Sequence, residues 1–120
     1  MESSNLCKIR NLYRAIAEME MQLERTFGLN INEAMLLCLL NERKELLSGE
    51  IADELRLSRS NTSKVIVAME KSGFVRRHSD KEDSRRQCFR LTREGEKMLA
   101  GIHCCDVCIP EIIKNAIKEQ

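Results

Sequence analysis

Apolar residues recur at three- and four-residue intervals from the start of the chain: Leu6, Ile9, Tyr13, Ile16, Leu23 and Phe27, with Leu12 and Met19 widening the stripe. That period predicts an amphipathic helix over about residues 4–27, stopped by Gly28. Its apolar face is broad for an end segment, which points to burial against a partner subunit. Asn30 followed by Glu33 is a capping-box-like start for a second helix over Ile31–Arg43. The run from Met35 to Leu40 is apolar all round, which places this helix centrally and makes Cys38 a buried small hydrophobe. Ser48–Leu55 is a short third helix, capped by Ser48, with Ile51, Ala52 and Leu55 facing inward. A fourth follows after only Arg56, Leu57 and Ser58; Ser58 caps it and the left-handed Gly73 ends it. Thr62, Val65, Ile66 and Met69 form its buried stripe.

The period then switches to two. Residues 74–79 and 87–92 read as short strands around a turn over 80–86, with Cys88 and Arg90 alternating with Phe89 and Leu91 so that one face packs and the other is wet. Helix resumes at Arg93, and a last one is expected over 111–120, after Pro110. The expected fold is mainly α with a small β-hairpin: a winged helix-turn-helix flanked by N- and C-terminal helices.

At 120 residues the chain is one domain by size. It has no Trp, one Tyr and three Phe, so the core is built from Leu, Ile, Met, Val and Ala, with Met19, Met35, Met69 and Met98 as filler. No stretch approaches the roughly 20 apolar residues of a membrane span, and residues 1–30 offer no uninterrupted apolar run. A cytoplasmic protein with no membrane partner is therefore expected. Its six cysteines are read as free thiols. No carboxylate cluster, nucleophile–base pair or phosphate loop is visible, so neither an enzyme nor a cofactor is expected.

Charge changes the picture. Residues 56–93 hold eleven Lys/Arg against four Asp/Glu, a balance of +7, whereas the rest of the chain holds nine against fifteen, or −6. Near-neutrality overall conceals a basic block of the kind a polyanion requires, since each neutralised phosphate releases condensed counterions. Ser58, Ser60, Asn61, Ser63 and Lys64 lie at the start of the fourth helix. Such small polar residues let a helix enter a major groove about 12 Å wide and offer donors to base edges and phosphates. Arg76 and Arg77 are candidate backbone grips, and Arg85 and Arg86, at the hairpin tip, suit a narrow minor groove. Asp83 is placed to hold and aim a guanidinium. His78 reads as a solvated or phosphate-contacting strand residue, and no metal ligand set is assigned.

Asp83-x-Arg85-x-x-x-Phe89-x-Leu91-Thr92-x-x-Gly95, preceded by Leu57-Ser58-x-Ser60 and Gly73-Phe74-Val75, resembles the multiple antibiotic resistance regulator (MarR) family of winged-helix transcription factors. The resemblance covers about residues 6–105. It implies a lobe over 30–93 that binds double-stranded DNA, dimerisation helices over 1–29 and 94–120, a homodimer on a palindromic operator, and wings in flanking minor grooves. It also implies transcriptional repression under the control of a small-molecule effector or a redox input. Leu47 stands where the family often has a capping threonine, which moves the third helix start to Ser48.

The cysteines carry the rival readings. Cys104 and Cys108 are i, i+4 neighbours on a helix and Cys105 and Cys108 are i, i+3 neighbours, so paired thiolates there could oxidise or share a soft metal ion. Cys7 joins them as a candidate redox residue if the end helices pack together. Cys88 reads as incidental. A thiol- or metal-sensing switch centred on this cluster, and a winged-helix interaction module without DNA binding, stand as alternatives.

Overall fold

A computed structural model describes residues 4–103 and 109–118. The elements are α1 (Asn5–Phe27), α2 (Ile31–Arg43), β1 (Leu46–Leu47), α3 (Ser48–Leu55), α4 (Arg59–Lys71), β2 (Val75–Ser79), β3 (Gln87–Leu91), α5 (Arg93–His103) and α6 (Glu111–Ile117). They gather into two compact units, one holding α1 and α6, the other spanning residues 31–103. The second unit extends past the hairpin to include α5.

In the first unit, α1 starts at Ser4, whose Oγ accepts the Cys7 N–H at 3.2 Å. It stops at Gly28, where φ is +72° and the N–H bonds the Glu24 carbonyl at 2.8 Å. Pro110 to Ile112 lie alongside Asn11, Arg14, Ala15 and Glu18 of α1. The stripe expected on α1 divides: Leu23 is buried, as is Ala15 from outside the stripe, but Leu6 and Tyr13 are each 75% exposed, and Ile9 and Ile16 are exposed with them.

The second unit is built on α2, whose Leu36, Leu37 and Leu40 are almost wholly buried with Leu46, Ile51, Ile66, Met69, Val75, Phe89 and Leu99. The expectation that α2 is covered on every side is corrected. Met35 and Cys38, three residues apart on one face, are exposed, because a helix packed from one side leaves its other face open. Cys38 is thus not a buried hydrophobe, and Met35 is not core filler; Met69 is, and Met19 and Met98 are half-buried.

α3 does begin at Ser48, but Ser48 is not its cap. Leu47 holds the cap position, with no side-chain acceptor to offer, and the Glu50 carboxylate accepts the Leu47 N–H at 2.8 Å instead. The α3–α4 turn is closed by a left-handed Arg56 (φ +56°) and a Leu57 N–H bond to the Ala52 carbonyl at 3.1 Å. Ser58 then caps α4, its Oγ accepting the Asn61 N–H at 3.1 Å. The Ser58 carbonyl takes the hydroxyl of Thr62 at 2.8 Å, which satisfies the buried polar side chain in this core.

The sheet has three antiparallel strands in the order β1-β3-β2, one more than the hairpin expected. β1 is two residues long and leaves no periodic trace, yet it pairs Leu46 with Phe89 and Leu47 with Cys88. This makes β3 the central strand. Cys88, expected on a wet face, is buried between register neighbours Leu47 and His78.

Gly73 (φ +82°) turns the chain from α4 into β2. Thr92 ties three elements there: its N–H bonds the Phe74 carbonyl at 3.0 Å, its hydroxyl donates to the Gly73 carbonyl at 2.6 Å, and its Oγ1 accepts the Gly95 N–H at 3.0 Å. The Leu91-Thr92-x-x-Gly95 pattern is therefore a cap that binds the start of α5 to the root of the hairpin.

Candidate nucleic-acid interface

α4 buries Thr62, Val65, Ile66 and Met69 and so presents Ser60, Asn61, Ser63 and Lys64 outward, all exposed. Ser58 is exposed too, but its hydroxyl is engaged as the cap. Ser60, Ser63, Lys64, Val67 and Lys71 share one open face of the helix, with Val67 38% exposed. Arg59, Val67 and Lys71 were not singled out by sequence; the turn-by-turn spacing of Ser60, Lys64, Val67 and Lys71 was the available signal.

A groove runs between this helix, the N-terminal end of α3 and the sheet, lined among others by Arg59, Ser63, Arg77, Arg85, Arg86 and Phe89. Antiparallel partners share a sheet face, and the register fixes which residues enter. Arg77 pairs with Phe89 and Ser79 with Gln87 on the groove side, while Arg76 pairs with Arg90 and His78 with Cys88 on the other. The structure does not bring Arg76 into the groove: it lines a separate depression with Lys44, Arg90 and Glu96.

Arg77 is in the groove but engaged. Its Nε and Nη2 donate to both oxygens of Glu70 at 2.8 and 2.7 Å, and its guanidinium lies 5.3 Å from the Phe89 ring centre. These hydrogen bonds hold the Glu70 carboxyl below its ordinary range, partial burial opposing and the Arg77 charge reinforcing. A depressed folded value means that the pair stabilises above the ordinary glutamate range, and that this contribution is lost as the pH falls through the depressed value. Both groups are partly solvated, so it is worth at most about 1 kcal/mol. Glu70→Gln is expected to lower the melting temperature at neutral pH and to flatten its decline in acid. Melting curves of wild type and variant that superimpose from pH 7 to 3 would show that the pair contributes nothing.

At the hairpin tip the chain folds on two acid–arginine pairs. Asp83 Oδ1 accepts both the backbone N–H of Arg85 at 3.0 Å and its Nε at 3.1 Å, and Oδ2 accepts Nη2 at 3.3 Å. The Arg85 side chain is nonetheless 90% exposed. Asp80 accepts Arg86 Nη2 at 2.8 Å, and its N–H bonds the Arg86 carbonyl across the turn. Arg85 is thus presented outward and Arg86 is held against the hairpin.

Residues 29–86, which contain this helix-turn-helix and most of the wing, match the MarR family. Over that segment the chain is MarR-like.

Among curated relatives, it is 33% identical over 75 residues to the HTH-type transcriptional regulator YfiV of Bacillus subtilis, a match that covers 62% of this chain and 47% of that protein. It is 34% identical over 71 residues to the HTH-type transcriptional regulator PapX of Escherichia coli, covering 58% of this chain and 43% of PapX. The chain spans about half the length of the curated relatives it matches. Among solved structures, the MarR-family regulator Sco3205 of Streptomyces coelicolor, in complex with DNA, is 28% identical with a TM-score of 0.80, covering 95% of this chain and 71% of that one. The MepR–DNA complex of S. aureus superposes with a TM-score of 0.78 over 100% of this chain and 86% of that one; at 17% identity it shows the fold alone.

Of the candidate redox residues, Cys7 is half-buried in the first turn of α1. Cys104, Cys105 and Cys108 lie outside the described residues. No described helix is long and apolar enough to cross a membrane.

Proposed function

We propose that this chain is a DNA-binding transcriptional regulator that acts as a cytoplasmic homodimer, represses from a palindromic operator and answers to a small-molecule or thiol input. It belongs with the regulators of its family and not with enzymes. The observation that carries the reading is the groove face: small polar side chains of α4 stand open beside a hairpin whose arginine is held outward by Asp83. The α4 face enters the major groove, where Ser60, Asn61, Ser63 and Lys64 meet base edges and phosphates and the Val67 methyls can meet a thymine methyl. The positive N-terminal end of α4, with Ser58 as its cap, approaches the backbone. Arg85 and then Arg86 belong to the minor groove. Arg77 lines the groove with its charge paired to Glu70, and Arg76 stands apart from this set.

The homodimer is supported by α1 and α6. Leu6, Ile9, Tyr13 and Ile16 on α1, with Ile112 and Ile117 on α6, are exposed in the single chain. Covering apolar surface stabilises by about 25 cal/mol per Å², and a two-fold axis would also supply a second recognition helix roughly 34 Å from the first. The test is selection of duplex fragments by the purified protein, followed by binding across a salt series, with light scattering for assembly. Steep salt dependence from a dimer is expected. A monomer at micromolar concentration would overturn the dimer, and no binding to selected duplex would leave an interaction module.

Within this reading Lys64 and Asn61 divide the work. Lys64→Ala is expected to reduce the slope of log affinity against log salt by about one unit, the signature of a lost phosphate contact. Asn61, whose amide can bond bidentately to adenine, is expected to relax sequence preference more than it changes the slope. Variants with indistinguishable slopes and specificity ratios would contradict that division.

A further inference from the structure

On the sheet face away from the groove, Glu45, His78 and Cys88 offer a carboxylate oxygen, a ring nitrogen and a sulfur that all lie within 4.8 Å of one another. We propose that these three side chains form a binding site for a divalent transition-metal ion of the zinc class, which staples the three strands of the wing together.

Each donor comes from a different stretch of backbone. Glu45 immediately precedes β1, His78 is on β2 and Cys88 is on β3; Cys88 is the register partner of both Leu47 and His78. Zinc bonds of about 2.0–2.3 Å in a tetrahedral site put donor atoms roughly 3.3–3.8 Å apart. Donor atoms that already lie within 4.8 Å of one another would have to close by at most about 1.5 Å to reach that spacing.

A second observation points to a missing partner. The Nδ1 atom of His78 is buried and has no hydrogen-bond partner among the described residues. Its other nitrogen, Nε2, lies 3.4 Å from Glu45 Oε2, a contact that leaves both Nδ1 and the sulfur unused. Buried polar atoms without a partner are uncommon in folded proteins, and an ion is one of the few things that explains them. Arg90 Nη2 donates to the same Glu45 oxygen at 3.1 Å, so the carboxylate is already anchored over the site by a neighbouring charge.

The donor set selects the class of ion. One sulfur, one imidazole and one carboxylate suit zinc and its cobalt substitute; magnesium and calcium take oxygen ligands and would leave two donors idle. Three protein ligands leave one tetrahedral position for water. Burial holds the Cys88 thiol above its ordinary range, Asp80, Glu45 and Glu50 push the same way and Arg86 opposes them. Without an ion the sulfur therefore keeps its proton; on binding, the S–H proton is released to solvent and the sulfur bonds the ion as thiolate.

The test uses the reduced, metal-free chain with Cys7, Cys38, Cys104, Cys105 and Cys108 changed to Ser, so that Cys88 is the remaining thiol. Titration with Co(II) is expected to give a thiolate-to-metal charge-transfer band and intense tetrahedral visible bands, saturating at about one ion per chain and bleached by Zn(II). In the wild-type chain Zn(II) is expected to raise the melting temperature, and in the five-serine variant His78→Gln and Glu45→Gln are each expected to weaken Zn(II) binding at least about tenfold. Absence of the thiolate band from the five-serine variant would overturn the proposal. So would an undiminished zinc response in His78→Gln, which would place the ion on other residues.

Discussion

Arg85→Ala is expected to weaken binding to selected duplex by about 1–3 kcal/mol, roughly 5- to 150-fold, with the melting temperature almost unchanged. The two halves of that expectation have different origins. The Arg85 side chain is 90% exposed and packs on nothing that its loss would uncover, so stability is spared. Its guanidinium is nevertheless not free to wander, because Asp83 accepts from Nε and Nη2 and from the backbone N–H of the same residue. An arginine fixed before binding loses less rotamer freedom on entering a minor groove. The Arg85 side-chain and backbone hydrogen bonds in turn hold the Asp83 carboxyl below its usual range, so the carboxylate that aims Arg85 stays charged well into mild acid. Asp83→Ala should therefore reproduce part of the Arg85→Ala loss without removing the cation. Fluorescence anisotropy with labelled duplex at fixed moderate salt measures both, and unchanged affinity in Arg85→Ala would remove the wing from the proposed interface.

The largest stability change is expected at Gly95. Helix propensity alone would favour alanine there by about 1 kcal/mol. Packing opposes it: a Cβ on Gly95 would overlap the Phe74 carbonyl oxygen and stand 3.2 Å from Leu91 Cδ2. That carbonyl cannot easily retreat, because it accepts the Thr92 N–H at 3.0 Å and so forms part of the cap of α5. Forcing extra volume into such a contact costs about 1–3 kcal/mol, and here the obstacle is backbone. The clash is expected to win, with Gly95→Ala melting roughly 4–8 °C lower for each kcal/mol lost. Gly95→Val is expected to be worse than alanine. A variant that melts higher than wild type would mean that α5 rests more loosely on the hairpin root than the structure shows.

The elements were legible to the extent that their signals were local. Three-four spacing marked α1 and α4, Gly28 and Gly73 marked the stops, Ser58 marked the α4 cap and period two marked β2 and β3; each depends on residues a few positions apart. The basic block and the Asp83–Arg85 spacing were equally visible, because charge and turn chemistry are written in consecutive residues. What sequence could not supply depended on partners far along the chain. β1 is two residues whose identity as a strand exists only through pairing with Phe89 and Cys88, some forty positions away. The exposure of Cys38 and Met35 depended on which side of α2 received its neighbours. Arg76 and Arg77 are adjacent and chemically alike, yet strand pleat sends one to the outer face and the other to Glu70 and Phe89. Cys88 looked incidental and His78 a solvated or phosphate-contacting residue until the register set them side by side, within reach of Glu45. Short-range periodicity, caps and charge were thus determined by the sequence itself. Which face is buried, which cation is free and which distant donors meet were decided by the tertiary structure, because burial and pairing are properties of residues brought together by the fold and not of their order in the chain.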